Sequence, residues 1–120
     1  MATHNDLGNK GEAKAAEFLQ SNGYTIHEKN YRTGHWEIDI IAEKDNCIVF
    51  VEVKTRTINF IENPFQAVTK KKQRFLIKAA NIYIEKNEID LEARFDIITV
   101  IEKGTEILID HFEDAFYPLA

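Results

Sequence analysis

Cysteine is almost absent from this chain. The single Cys47 excludes an internal disulfide, and a small packed side chain is the ordinary role for such a residue. No long uninterrupted apolar run is present and the first residues lack a signal-peptide pattern, so the expectation is a cytoplasmic protein with no membrane partner. Histidine is also sparse. His4, His27, His35 and His111 show none of the paired spacing of a zinc site. Internal repeats, linkers and low-complexity tracts are missing as well. What is present is 120 residues, 44% hydrophobic and 29% charged, enough for one ordered domain over residues 1–120 with its own core.

Positive charge is in overall deficit, with a net of −5, which argues at first against a nucleic-acid partner. The distribution qualifies this. Residues 54–78 hold seven Lys or Arg against one acid, Glu62, a local net of +6. Such a segment is a candidate phosphate-binding surface, although a solvated helix face is the commoner origin of a Lys-rich run.

Along the chain, Asn5 or Asp6 is expected to cap a first helix, Leu7, Gly11, Ala15, Phe18 and Leu19 recur at helical spacing, and Asn22-Gly23 ends that helix at about Ser21. Residues 24–29 alternate as a first strand, with a loop expected through residues 30–34. Residues 55–63 read as a polar, irregular stretch. Asn63-Pro64 announces a second helix whose apolar stripe is Phe65, Val68, Leu76, Ala79, Ile82 and Tyr83. Lys72 falls in that inward row, where it either snorkels or points toward acids or phosphate. Lys70, Lys71 and Arg74 fan away from it, and Gln66 is a weaker inward candidate. Residues 95–101 and 106–112 read as two more strands around Lys103-Gly104-Thr105, and Phe116 and Pro118 are expected to pack on the sheet edge. The order α-β-β-β-α-β-β points to an α/β fold, a sheet with helices packed on it, and the crossover helix implies some parallel pairing.

The stretch from Glu37 to Lys54, EIDIIAEKDNCIVFVEVK, is the most informative. It reads as a hairpin with Asp45-Asn46 as a two-residue loop, residues that tolerate the positive φ required. Lys44 then faces Cys47, and counting back sets Asp39 opposite Glu52. Strand alternation puts Glu37, Asp39 and Ile41 on one face, and Ile48, Phe50, Glu52 and Lys54 on one face of the next strand. Charges in a strand otherwise apolar on both faces are costly to desolvate unless paired or bound to an ion. Glu12 lies at the edge of the first helix's buried stripe, where it is either a surface glutamate or a further ligand of the pair.

An acid on one strand and acid-x-Lys on the next suit metal-assisted phosphodiester hydrolysis. Carboxylate oxygens bind Mg²⁺ or Mn²⁺ while leaving coordination places for water and phosphate. In this scheme Asp39, Glu52 and the Val53 carbonyl are metal ligands, Glu12 an outer ligand, and Lys54 the group that orients water or neutralises developing charge.

At these residues the chain resembles the restriction-endonuclease-like superfamily, with its PD-(D/E)-x-K signature. Within it the chain is similar to the YraN family of endonuclease-like proteins, itself similar to archaeal Holliday-junction resolvases. The matching stretches are G-x-x-G-E at Gly8 to Glu12, Asn30 to Arg32, E-I-D at Glu37 to Asp39, V-F-V-E-V-K at Val49 to Lys54, Ala67-Val68 with Lys72 following, R-F-D at Arg94 to Asp96, and Ala115-Phe116. The resemblance implies a mixed β-sheet flanked by helices and an active site of Glu12, Asp39, Glu52 and Lys54. It raises Glu37 and Lys72 to functional candidates beside Arg56, Lys70, Lys71 and Arg74 of the basic segment. It implies an endonuclease acting on DNA, at branched or damaged structures, with a homodimer suited to a two-fold junction. Two departures stand out: Trp36 occupies a glycine position of the family, and no proline precedes Asp39. Trp36 is expected to point away from Glu37 and Asp39 and to pack in the core. Two other readings stay open: a silent nuclease-fold module that binds nucleic acid or a protein partner, and a purely structural ion-pair network.

Overall fold

A computed structural model of the chain describes residues 4–57 and 68–116. Its elements follow the order α1 (His4–Ser21), β1 (Thr25–Thr33), β2 (Trp36–Lys44), β3 (Cys47–Thr57), α2 (Lys70–Lys86), β4 (Glu92–Lys103) and β5 (Glu106–Phe116). This is the α-β-β-β-α-β-β succession expected from the sequence. The strands form one sheet in the order β1-β2-β3-β4-β5. Neighbours are antiparallel except β3 and β4, which run parallel on either side of the α2 crossover.

Turn chemistry sets the registers. Asp45 and Asn46 adopt φ of 51° and 64° and join β2 to β3 with Lys44 opposite Cys47, a two-residue loop of the kind whose twist matches the strands. At the end of α1, Gly23 takes φ +88° and Tyr24 N–H donates to the Leu19 carbonyl at 3.0 Å, a Schellman closure.

Several segments run longer than expected. β1 continues through Thr33 instead of giving way to a loop at Asn30, because Tyr31, Arg32 and Thr33 pair with Ile38, Glu37 and Trp36. Its polar residues are tolerated on an edge strand with mostly exposed side chains. β3 extends through Thr57 because β4 supplies partners as far as Glu102, so residues 55–57 are not irregular. β5 runs to Phe116, which stacks on Phe95 at 5.3 Å. The continuous helix that carries Tyr83 begins at Lys70, its Thr69 hydroxyl accepting from Lys72 N–H at 3.1 Å. The expected helix start at Asn63-Pro64, together with Phe65, Gln66 and Pro118, lies outside the described residues. Val68 is buried just ahead of the helix, and Ile82 turns outward while Ala80 fills the inward row.

Two cores result, one on each face of the sheet. Under α2 lie Ile38, Ile41, Ile48, Phe50, Leu76, Tyr83, Phe95 and Phe116, with Phe95 stacked on Phe50 at 5.5 Å. Under α1 lie Ala15, Ala16, Leu19, Ile40, Val49, Val51, Val53 and Ile98. β3 is buried from Ile48 to Val53, as a strand covered on both sides must be.

α1 approaches the sheet closely at one point. A Cβ on Gly11 would collide with Thr55 Oγ1, whereas one on Gly8 would meet nothing within 4 Å. The β-branched Thr55 cannot swing clear. Removing a helical glycine ordinarily gains about 0.5–1 kcal/mol, and crowding a packed contact costs about 1–3 kcal/mol. Gly8→Ala is therefore expected to stabilise the fold by about 0.5–1 kcal/mol, and Gly11→Ala to destabilise it by about 1–3 kcal/mol, both read from urea denaturation midpoints.

Candidate active site

The antiparallel ladder between β2 and β3 has its last pair at Ile40 and Val51. The expected pairing of Asp39 with Glu52, one step further, is not part of the ladder, although the two carboxyls are close enough to interact. There the strands part: Val53 N–H donates to Asp39 Oδ2 at 2.8 Å, so a side chain takes the place of a ladder carbonyl. The residue across from Asp39 on the other strand, Asn30, has φ 52°. Side-chain alternation slips at the same point, because Ile38 and Ile41 join the core under α2 while Ile40 and Ala42 join the core under α1. The expectation that Glu37, Asp39 and Ile41 share one face is thus corrected. The strand is irregular at Asp39, and the acids meet across a gap instead of side by side on one flat face.

Glu12 arrives from α1, one residue after the glycine that lets the helix approach. It is hydrogen-bonded with Asp39 and Asn30, and its carboxyl is pushed up to about 7, first by burial and then by the Asp39 charge. Glu52 is 5% exposed and is also pushed up to about 7, by burial and by Asp39, against the pull of Lys72 and Lys54. Asp39 is raised as well, mainly by burial, with the Val53 N–H opposing. The Lys54 and Lys72 ammonium groups lie 3.7 and 3.9 Å from Glu52 Oε1. Glu52 Oε2 is buried without a hydrogen-bond partner, an expensive state for a carboxylate oxygen.

The other sequence candidates divide. Glu37 pairs with Arg32 at 3.2 Å, close enough to Glu12 to repel it. Arg56 Nη1 donates to the Thr55 carbonyl at 2.8 Å. Lys70, Lys71 and Arg74 are exposed on α2. Gln66 lies outside the described residues. Trp36 packs against the core under α2 as expected, its ring 6.2 Å from that of Phe75.

Hard oxygens, a buried unpartnered carboxylate oxygen and carboxyls held above their ordinary range fit a cation better than they fit water. The N–H and C=O of one strand residue leave on the same side, so the Val53 carbonyl faces the gap that its N–H enters. Among the described residues, however, no three of His, Cys, Asp and Glu gather closely enough to hold a metal ion. The carboxyls that border the gap are Asp39 and Glu52, with Glu12 beside Asp39. Magnesium commonly binds through one or two carboxylates and keeps its waters.

A second buried polar group was not anticipated. Asp96 is fully buried and receives Arg94 Nε at 2.9 Å, Arg94 Nη2 at 2.8 Å and Asp114 N–H at 3.0 Å. His111 Nε2 lies 2.7 Å from the same carboxylate, and Arg94 Nη2 also donates to the Tyr24 hydroxyl at 2.6 Å. Despite burial, these partners hold the Asp96 carboxyl below its ordinary range. The network ties β4 to β5 and to the end of α1. It gives a physical reason for the R-F-D stretch.

Comparison with known proteins places the chain. The model of a family described as uncharacterised protein family UPF0102 matches residues 11–100. The chain belongs to the UPF0102 family. A UPF0102 protein of Flavobacterium psychrophilum is 51% identical over 117 residues, covering 98% of both chains. One from Parabacteroides distasonis is 47% identical over 117 residues, covering 98% of this chain and 97% of its own. One from Bacteroides thetaiotaomicron is 46% identical over 118 residues, covering 98% of both. The UPF0102 match begins at Gly11 and so takes in Glu12, Asp39, Glu52 and Lys54. None of the described helices of this UPF0102 chain is long and apolar enough to cross a membrane.

The carboxyl shifts fix the sign of a pH effect in metal-free protein. Glu52 keeps its proton in the folded state up to about 7 but loses it near 4.5 when unfolded. Between those values the folded chain binds more protons, so stability falls as pH rises. Glu12 acts in the same direction. Asp96 acts oppositely, since its depressed carboxyl loses its contribution only in stronger acid. In EDTA the melting temperature is expected to be higher at pH 5.5 than at pH 8. Glu52→Gln should flatten that slope and stabilise the pH 8 protein by about 0.5–2 kcal/mol, as measured by scanning calorimetry.

Proposed function

We propose that this protein is a metal-dependent endonuclease of restriction-endonuclease-like type that hydrolyses DNA phosphodiester bonds. The observation that carries the reading is the buried, unpartnered Glu52 Oε2 beside Asp39 in the gap between β2 and β3. Two buried carboxylates side by side, one with an oxygen left unpartnered, are poor design for folding and good design for a cation. Asp39, Glu52 and the Val53 carbonyl are the residues that hold Mg²⁺ or Mn²⁺. Such an ion, when bound, lowers the pKa of water and offsets charge on phosphate.

The protein's own groups do the rest. Val53 N–H fixes Asp39 Oδ2 and so holds the carboxylate that would help to bind the ion. Glu12, bonded to Asp39, gives up or takes back the proton that the acids share. Lys54, already beside Glu52, is placed to orient the attacking water and to face the non-bridging phosphate oxygen. Lys72 approaches from α2 and marks the side from which the DNA backbone enters, toward exposed Lys70, Lys71 and Arg74. A branched or damaged duplex acted on by a homodimer is the substrate and assembly this reading favours.

A second reading rests on a different observation. The three acids do not gather as a metal cluster among the described residues, and two ammonium groups already neutralise Glu52. A fold that binds nucleic acid without cutting is consistent with both.

Titration with Mn²⁺ in a calorimeter, together with cleavage of single-stranded, duplex and four-way-junction DNA, separates the two. The nuclease reading expects Mn²⁺ heat and cleavage in the native chain, both lost in Glu52→Gln. Lys54→Met should retain Mn²⁺ binding and lose about 10²–10³-fold in rate. Salt-sensitive DNA binding with neither metal heat nor cleavage selects the silent module.

A further inference from the structure

The face of the sheet that carries α2 holds a feature that hydrolysis does not use. Trp36, the only tryptophan of the chain, has its ring 6.2 Å from that of Phe75 and tilted 31° to it. Both residues are only partly buried. Lys78 Nζ stands 5.7 Å from the indole centroid and Lys71 Nζ 5.8 Å from the Phe75 centroid. Lys70 and Arg74 are exposed on the same helix, and Lys70 to Lys78 contains no acid. Closing the edge of a core would need the two rings but not two ammonium groups laid over them, for which no acidic partner stands among the described residues.

We infer that the Trp36–Phe75 pair is a stacking platform for an unpaired nucleobase of single-stranded DNA, with Lys70, Lys71, Arg74 and Lys78 holding the adjoining phosphates. The inference rests on DNA being the substrate and names which kind: DNA with a single-stranded segment beside the bond to be cut. A duplex keeps its base faces covered by neighbouring bases, so only an unpaired base offers a face to the rings. Magnitudes favour the exchange. A cation over an exposed ring is worth less than a base stacked on an aromatic side chain. The base displaces the ammonium groups, and these swing to the phosphates that arrive with it. Position agrees as well. Trp36 is three residues before Asp39 on β2, roughly 10 Å along the strand, so one short oligonucleotide can reach both. Lys72, between Lys71 and the acidic gap, bridges platform and site.

The sole tryptophan reports directly. The full chain is titrated in EDTA, where no hydrolysis occurs, with a twelve-nucleotide oligothymidine, a blunt duplex of the same length, and an abasic oligomer of equal charge. The expected result is quenching of Trp36 emission by oligothymidine, at least twice that produced by the duplex or the abasic oligomer. By anisotropy of labelled oligothymidine, Trp36→Ala and Phe75→Ala should each weaken binding roughly 5- to 100-fold, and Trp36→Phe should restore most of it. Melting curves confirm that each variant folds. Equal quenching by all three ligands, or an oligothymidine affinity unchanged in Trp36→Ala, overturns the platform. Metal-dependent cleavage together with that outcome leaves the nuclease reading intact. Selective quenching without cleavage by the metal-loaded chain keeps the platform and removes the nuclease.

Discussion

The site depends on one hydrogen bond, from Val53 N–H to the Asp39 carboxylate. It satisfies a central-strand donor that β2 no longer reaches, holds one carboxylate oxygen in place and keeps two neighbouring strands from closing. Were the ladder to continue past Ile40 and Val51, the gap would fill with backbone and the acids would be forced out to solvent. The remaining features follow from that parting. Glu12 is drawn into contact with Asp39, Glu52 is left with an unpartnered oxygen, and protons are retained far above the usual carboxylate range. Two lysines lessen the repulsion without removing it.

Holding such a group requires surroundings that do not yield. The sheet has a packed layer on each face, and the aromatic row Phe50–Phe95–Phe116 crosses β3, β4 and β5 at matching register. On the opposite face, Gly11 brings α1 down onto Thr55, which sets the height from which Glu12 reaches. The charged group is thus carried by strands buried on both faces, while Lys70, Lys71 and Arg74 are exposed on α2.

The hairpin was legible in the chain because its information is local. Asp45-Asn46 fixes the loop, and the loop fixes the register from Lys44 opposite Cys47 as far as Ile40 opposite Val51. The order of elements was legible for a similar reason, since apolar periodicity changes character at each boundary. The slip in alternation at Asp39 was not, because it depends on Asn30 in another strand and on the Val53 N–H that only the folded sheet supplies. Nor was the buried group around Asp96. Its partners Tyr24, Arg94, His111 and Asp114 come from three separate places, and nothing in the residues around any one of them signals the others. Strand ends were underestimated wherever polar residues of an edge strand or a strand end found tertiary partners, as at Tyr31 to Thr33 and Thr55 to Thr57.

The parallel contact between β3 and β4 has a consequence for how the molecule comes to exist. Cys47 and Glu92 are neighbours in the sheet although α2 and the segment before it intervene in the chain, so this pairing carries a large loop-closure penalty and belongs to the slow part of folding. The β2–β3 turn, by contrast, can close within microseconds. On a ribosome, Asp39 and Glu52 would already be adjacent while one side of β3, the most apolar strand of the chain, still waited for its partner. During that interval the exposed strand is the segment most open to capture by a chaperone or by another nascent copy.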